Sequence, residues 1–137
     1  MTMPQDVKAA NRELIERFRA DGGVTDGRAL LLLTTTGARS GRPYTTPMMF
    51  IDDGDRLLVV ASNAGAPKHP DWYRNLVAHP EVTVEITGDT YQADAVPLRG
   101  EERDRVFAAI CERFPFFADH QAKVTRRIPV VALTARR

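Results

Sequence analysis

Six consecutive residues, Gly37-Ala38-Arg39-Ser40-Gly41-Arg42, gather two guanidinium groups, a hydroxyl and a run of backbone N–H groups. Amides in a tight turn and the fork of an arginine both suit the oxygens of a phosphate or a carboxylate. The segment is not a Walker loop, because the lysine and the following helix are missing, and its glycine spacing does not fit a dinucleotide fingerprint. A solvated hairpin turn has the same composition. Taken alone, the turn reads as an anion cradle or as a polar connection.

A second segment, Ala61-Ser62-Asn63-Ala64-Gly65-Ala66-Pro67-Lys68-His69-Pro70, strings small side chains together just before a helix start. Small residues let a flat ring come close to the backbone; an ordinary connection whose Pro70 opens the helix looks the same. Trp72 and Tyr73 follow at once, as core filler or as the wall of a cleft. A third segment, Phe114-Pro115-Phe116-Phe117-Ala118-Asp119-His120, puts three phenyl rings and an imidazole at a helix end. These rings pack beneath the fold or form a lid over an apolar substrate.

Other chemistries find little support. His69, His79 and His120 lack the paired spacing of metal ligands, so no metal is expected. Ser40 and Ser62 stand outside any nucleophile elbow. The single cysteine, Cys111, sits in an apolar helical pattern as a small core filler with no reactive setting. With 19 basic and 18 acidic side chains, the net charge of +1 gives no reason to expect a nucleic-acid partner. So few acids, bases and nucleophiles leave a bound cofactor as the expected source of reactivity.

The elements that must position these segments follow from periodicity. A chain of 137 residues can enclose one core, and a single domain is expected over 1–137. Val7, Ala10, Leu14, Ile15 and Phe18 recur at helical spacing, predicting a helix over residues 5–20 that Gly22-Gly23 ends. That helix covers a barrel end or, given its flanking basic residues, rests on a membrane surface; Asp6, Glu13 and Glu16 weigh against the latter. No apolar stretch is long enough for a signal peptide or a span, so a cytoplasmic protein is expected.

Leu30-Leu31-Leu32-Leu33 with Thr34-Thr35-Thr36 predicts a buried strand, and Tyr44 to Ile51 and Arg56 to Ser62 predict two more. Pro47 cannot donate to a ladder and marks an edge, a bulge or the approach of a ligand. A short helix over Pro70 to Ala78 follows. Val82, Val84 and Ile86 alternate with polar residues, and after Gly88-Asp89 the chain extends again from Thr90 to Leu98. Val106, Phe107, Ile110 and Phe114 share a face of a helix over 101–114, ended by Pro115, before a last strand from Ile128 to Thr134. Strands one to three leave no room for helical crossovers, which favours an antiparallel barrel over a doubly wound sheet.

Leu31-Leu32-Leu33-Thr34-Thr35-Thr36-Gly37-Ala38-Arg39-Ser40-Gly41, Pro47, Ala61-Ser62 and Pro70-Asp71-Trp72-Tyr73-Arg74-Asn75-Leu76 together resemble the deazaflavin-dependent nitroreductase family of actinobacteria. The resemblance runs from about Leu30 to Ile128-Pro129-Val130-Val131. It implies a split β-barrel of about six antiparallel strands with an N-terminal helix and two inserted helices. The implied cofactor is coenzyme F420, with FMN as the alternative in a sister branch. Arg39 and Ser40, with the Ala38 amide, would grip its lactyl-phosphate and glutamate tail. Tyr44, Thr45, Thr46, Pro47, Met48 and Met49, with Val60, Ala61, Ser62 and Asn63, would line the ring, and Asp71, Trp72, Tyr73, Arg74 and Asn75 would close the tail side.

By the same resemblance Ser62 donates a hydrogen bond to the acceptor during hydride transfer, while Met49, Phe114, Phe117 and His120 meet a flat apolar acceptor such as a quinone or a nitroaromatic. Several family members carry tyrosines where Phe114, Phe117 and His120 stand, and basic residues where Tyr44 and Asn63 stand. Arg42, Lys68 and Arg74 offer replacement charge. Related barrels pair across a sheet, so a homodimer is expected. The competing readings are an FMN-binding flavoprotein and a non-catalytic carrier of a flavin-like or haem-like ligand.

Overall fold

Four leucines in a row need cover on both faces of a strand, and the computed structural model, which describes residues 3–20 and 30–136, supplies it. In β1 (Leu30–Thr36) Leu31, Leu32 and Leu33 are fully buried. The strand pairs with β2 (Pro43–Met49) on one side and β5 (Glu81–Ile86) on the other, both antiparallel. With β3 (Ile51–Asp53), β4 (Arg56–Val60), β6 (Asp89–Pro97) and β7 (Val130–Ala135), the strands form one curled antiparallel sheet ordered β2-β1-β5-β6-β7-β4-β3.

The stretch predicted as one strand, Tyr44 to Ile51, is two. Its first part bonds to β1 and its second, past Phe50, bonds to β4 at the opposite end of the sheet order. A single bend at Phe50 therefore ties the two ends of the sheet together through the chain itself, giving the split barrel and a seventh strand. Phe50 packs on the core there. Pro47 lies on β2 at the end of the sheet order, where a missing N–H leaves no gap in a central ladder.

Two apolar clusters take the two faces. Leu31, Leu33, Val59, Val82, Val84, Val131 and Leu133 form the first, sealed by Leu76 of α2 (Asp71–Ala78) with Trp72 and Tyr73 packed alongside. Leu58, Val130 and Ala132 face the other way, onto Phe107 and Ile110 of α3 (Gly100–Arg113) and Phe117 of α4 (Phe116–Ala122). Each large side chain so buried contributes about 1.5–3 kcal/mol. The helix α4 is a third inserted helix, where two were expected and the aromatic segment was only the end of α3. Pro115 ends α3 as expected but also caps α4, since proline's fixed φ suits a helix start as well as it forbids a helix interior.

The N-terminal helix α1 (Met3–Ala20) agrees with the predicted span, while the Gly22-Gly23 stop lies outside the described residues. Phe18 near its end is buried and Arg19 bonds to Glu85 of β5 at 3.0 Å. No described helix is long and apolar enough to cross a membrane. Cys111 is half-buried beside the second cluster, where burial raises its thiol pKa, as a filler's would be.

Candidate functional site

Strand register fixes which loops meet. The Thr36 end of β1, the Pro43 end of β2, and the Val60–Val130 end of β4 and β7 lie at one end of the barrel. The arginine turn, the small-residue loop and α2 therefore emerge together. In the turn, Gly41 N–H donates to the Gly37 carbonyl at 3.0 Å and Gly37 N–H to that of Arg42 at 2.8 Å. A Cβ on Gly37 would lie 2.4 Å from Ser40 Oγ and 2.7 Å from the Tyr44 ring, so only glycine allows these two side chains to close over the turn. Ser40 Oγ is 3.2 Å from the Tyr44 hydroxyl and accepts the Arg42 N–H.

Arg39, Ser40 and Arg42 are exposed. Among the described residues no carboxylate pairs with Arg39, Arg42, Lys68 or Arg74, whereas Arg56, Arg127 and Arg136 elsewhere on the surface are paired. Unpaired cations on one rim suit a polyanionic tail, and the chemistry of these donors fits the phosphate and carboxylates of F420. The Ala38 amide, expected to face that tail, donates instead to Asn75 Oδ1 at 3.0 Å. Asn75 Nδ2 in turn donates to Thr35 Oγ1 at 3.2 Å. Asn75 is buried, and with both ends of its amide engaged it ties α2 to the turn instead of presenting a polar group to a ligand.

On the same rim Asp71 and Arg74 are exposed, while Trp72 and Tyr73 are half-buried against the first cluster as core filler. Thr45 exchanges a hydroxyl contact with Thr34 of β1 at 2.8 Å, and Thr46 and Pro47 are half-buried beside it. Met48 and Met49 split between the two clusters, Met48 to the first and Met49 to the second, as strand alternation requires. Met49 joins Val60 and Phe114 there, with Phe117 at the centre.

The loop after β4 carries the most unusual backbone. Ala61 and Ser62 are buried, and Asn63, Ala64 and Gly65 then turn left-handed in succession, with φ of 49°, 54° and 80°. Non-glycine residues rarely hold that conformation, and they cluster at ligand sites. Ser62 Oγ does not cap the turn that follows. A Cβ on Gly65 would lie 3.4 Å from His120 Cα, which shows how closely α4 sits on this loop. The aromatic segment is thus a packed helix. Phe116, Phe117 and His120 meet tilted or edge to face, with ring centroids 4.3 to 6.1 Å apart, and His120 Nδ1 is buried with no hydrogen-bond partner.

Sequence reasoning missed Arg126. Its guanidinium donates to the carbonyls of Ala66, Ala61 and Ser62 at 3.1, 3.2 and 2.8 Å, and to His69 Nδ1 at 3.0 Å. The only signal was an arginine pair just before a buried strand, which carries no periodicity. Since arginine has donors only, His69 Nδ1 must accept and the ring is neutral with its proton on Nε2. Burial, then Arg126 and Arg74, lower the His69 pKa below its ordinary 6.5.

The sign follows. The unfolded chain takes up a proton as pH falls past 6.5 while the folded chain resists it, so stability falls with pH in that window. We expect the melting temperature to decline on acidification below about pH 6.5, and His69→Gln, which keeps an acceptor, to remove that component. A variant with an unchanged pH profile would refute the assignment.

A split barrel with few proton-transfer groups and, among the described residues, a cationic rim without carboxylate partners suits the class of barrel reductases that depend on a flavin-like hydride carrier. Residues 10–135 match the family described as F420H(2)-dependent quinone reductase. An F420H(2)-dependent quinone reductase of Mycobacterium tuberculosis is 38% identical over 109 residues, 77% of this chain and 73% of that protein. A solved F420-H2 dependent reductase is 38% identical with a TM-score of 0.69, covering 77% of this chain and 94% of its own. A second solved structure, described as a domain-swapped dimer, is 38% identical with a TM-score of 0.72 over 89% of this chain and 95% of its own.

The chain belongs to the F420H2-dependent quinone reductase family. It is accordingly an oxidoreductase with coenzyme F420 as cofactor, and the FMN and carrier alternatives are not favoured.

Proposed function

We propose that this chain reduces a flat apolar quinone with F420H2, on the residues named above. The observation that carries the reading is the juxtaposition of Arg39 and Arg42, without carboxylate partners among the described residues, with the buried Ala61-Ser62 segment just past β4 on one barrel rim. Bound F420H2 supplies a hydride and a proton, so that quinone becomes hydroquinone and F420 is left oxidised.

The chain's own residues bind, orient and exclude water. Arg39, Ser40 and Arg42 hold the anionic tail, with Arg74, Lys68 and the Asp71 end of α2 beside it. Ala38, fixed by Asn75, sets the turn's position. Tyr44 to Met49 and Val60 to Asn63 would line the ring, and Trp72 and Tyr73 would stand with Asp71 and Arg74 on the tail side. Ser62 Oγ donates to the acceptor oxygen on which charge develops, where a fixed donor is most effective. Met49, Phe114 and Phe117 form an apolar wall, and His120 Nδ1 brings a partnerless polar atom into it. Nitroaromatic reduction is the lesser activity, because the hydroxyls that would bond a nitro group are absent from Phe114 and Phe117.

The dimeric relative supports a homodimer of this chain as well. Burial of Phe18 supports α1 docking on the barrel over contact with a membrane surface.

The test is titration of purified protein with F420, followed by quinone-dependent return of F420 absorbance from F420H2. Ser62→Ala should lower kcat by roughly 10- to 100-fold with F420 affinity unchanged. Binding of FMN without F420 would overturn the reading, and an unaltered kcat in Ser62→Ala would remove Ser62 from it.

A further inference from the structure

Three successive left-handed residues do not hold themselves, and the loop's internal bonds are few. Gly65 N–H reaches the Ser62 carbonyl at 2.9 Å, Ala66 N–H reaches that of Asn63 at 3.0 Å, and Asn63 Nδ2 donates to the Lys68 carbonyl at 3.0 Å. What spans the whole bend is the Arg126 guanidinium, which gathers the carbonyls of Ala61, Ser62 and Ala66, two before and one after the left-handed run. A planar fork holding three carbonyls fixes their mutual orientation, which a lysine's single ammonium cannot do.

Arg126 is itself anchored. Gln121 of α4 donates Nε2 to the Arg126 carbonyl at 2.8 Å, and its Oε1 accepts from Ile128 N–H at 2.9 Å and from Arg103 of α3 at 3.0 Å. Arg103 also donates twice to the Ile128 carbonyl. The segment that presents Arg126 is thus bolted to the two helices that carry the aromatic wall. Among the described residues Arg126 has no carboxylate partner, so its charge is shared among three carbonyl dipoles and the neutral His69 ring.

We propose that Arg126 is a positioning residue, which locks the Ala61–Ala66 loop in its ring-binding form and couples that loop to the aromatic wall through Gln121. The inference rests on the function proposed above. A loop already set in its bound shape costs less to order when the cofactor arrives, so affinity for F420 follows the state of the Arg126 fork.

The experiment compares wild type with Arg126→Ala and Arg126→Lys, first without ligand. In hydrogen exchange on the apoprotein, the Gly65 and Ala66 amides of Arg126→Ala should exchange at least about tenfold faster, with β1 and β5 amides unchanged. In F420 titrations the dissociation constant should rise about tenfold in Arg126→Ala and by less in Arg126→Lys. Added guanidinium should restore part of the Arg126→Ala loss and leave wild type unaffected. If wild type fails to bind F420, the proposed function falls, and the apoprotein exchange still judges Arg126 by itself. If wild type binds and Arg126→Ala exchanges and binds as wild type does, the positioning role is wrong. Faster exchange throughout the barrel with no rescue overturns it too, since Arg126 would then be a general fold contact. Should Arg126→Ala not fold, Arg126→Lys decides by the same measurements.

Discussion

Arg39→Ala is expected to raise the dissociation constant for F420 about tenfold, and Arg39→Ala with Arg42→Ala about a hundredfold. The size follows from where these arginines stand. A hydrogen bond to a charged group is worth about 1.5–3 kcal/mol, but both side chains are exposed and water screens them, so the lower end of that range applies to each. Both lack carboxylate partners among the described residues, so removing one breaks no internal ion pair and should leave the melting temperature nearly unchanged. Arg39→Lys keeps the charge and loses the fork, and should fall between. The same contacts predict weaker binding at higher salt, with a shallower salt dependence in the double variant. Fluorescence titrations at two ionic strengths decide it. Affinity that ignores both salt and Arg39 would place the cofactor's tail elsewhere.

What the sequence could show of this arrangement was what chemistry writes into local order. The leucine run of β1, the alternation of Val82, Val84 and Ile86, and the apolar stripe of α3 each specify an element and its dry face, and all three stand as read. The arginine turn was legible because its residue types are unusual together. The bend at Phe50 was not, because whether an extended stretch stays with one partner or switches to another depends on strands far along the chain. The short helix α4 hid behind Pro115, whose role as a terminator is the same physical fact as its role as a starter. Asn75 was read toward a ligand and turned inward, since a side-chain amide serves either purpose and only the position of Thr35 and Ala38 chooses. Arg126 left only an arginine pair before a buried strand, because its partners are mostly backbone carbonyls, which every residue carries.

Arg103→Met should destabilise the fold by about 3 kcal/mol, the largest stability effect expected of any charged side chain here. Arg103 is 8% exposed, and burial lowers its pKa, with the Asp104 carboxylate pulling the other way. Its Nε and Nη2 both donate to the Ile128 carbonyl at 3.1 and 2.6 Å, Nη2 also reaches Gln121, and its guanidinium lies 4.2 Å from the Phe107 ring centroid. Methionine can fill the space but donates nothing. The Ile128 carbonyl then stays buried without that partner, a cost of about 1–3 kcal/mol, and the ring contact takes about 1 more. In a domain of this size the melting temperature should fall by roughly 5–15 °C. Arg103→Lys should recover little, because one ammonium cannot reproduce the paired donors. Arg136→Ala serves as contrast: its pairs with Glu81 and Asp94 are half-exposed, and losing them should cost no more than about 1 kcal/mol. Because Gln121 loses a partner in Arg103→Met and also holds the Arg126 main chain, F420 should bind that variant more weakly even well below its melting temperature. If Arg103→Met melts no lower than Arg136→Ala, the buried fork is not what joins α3 and α4 to the segment before β7.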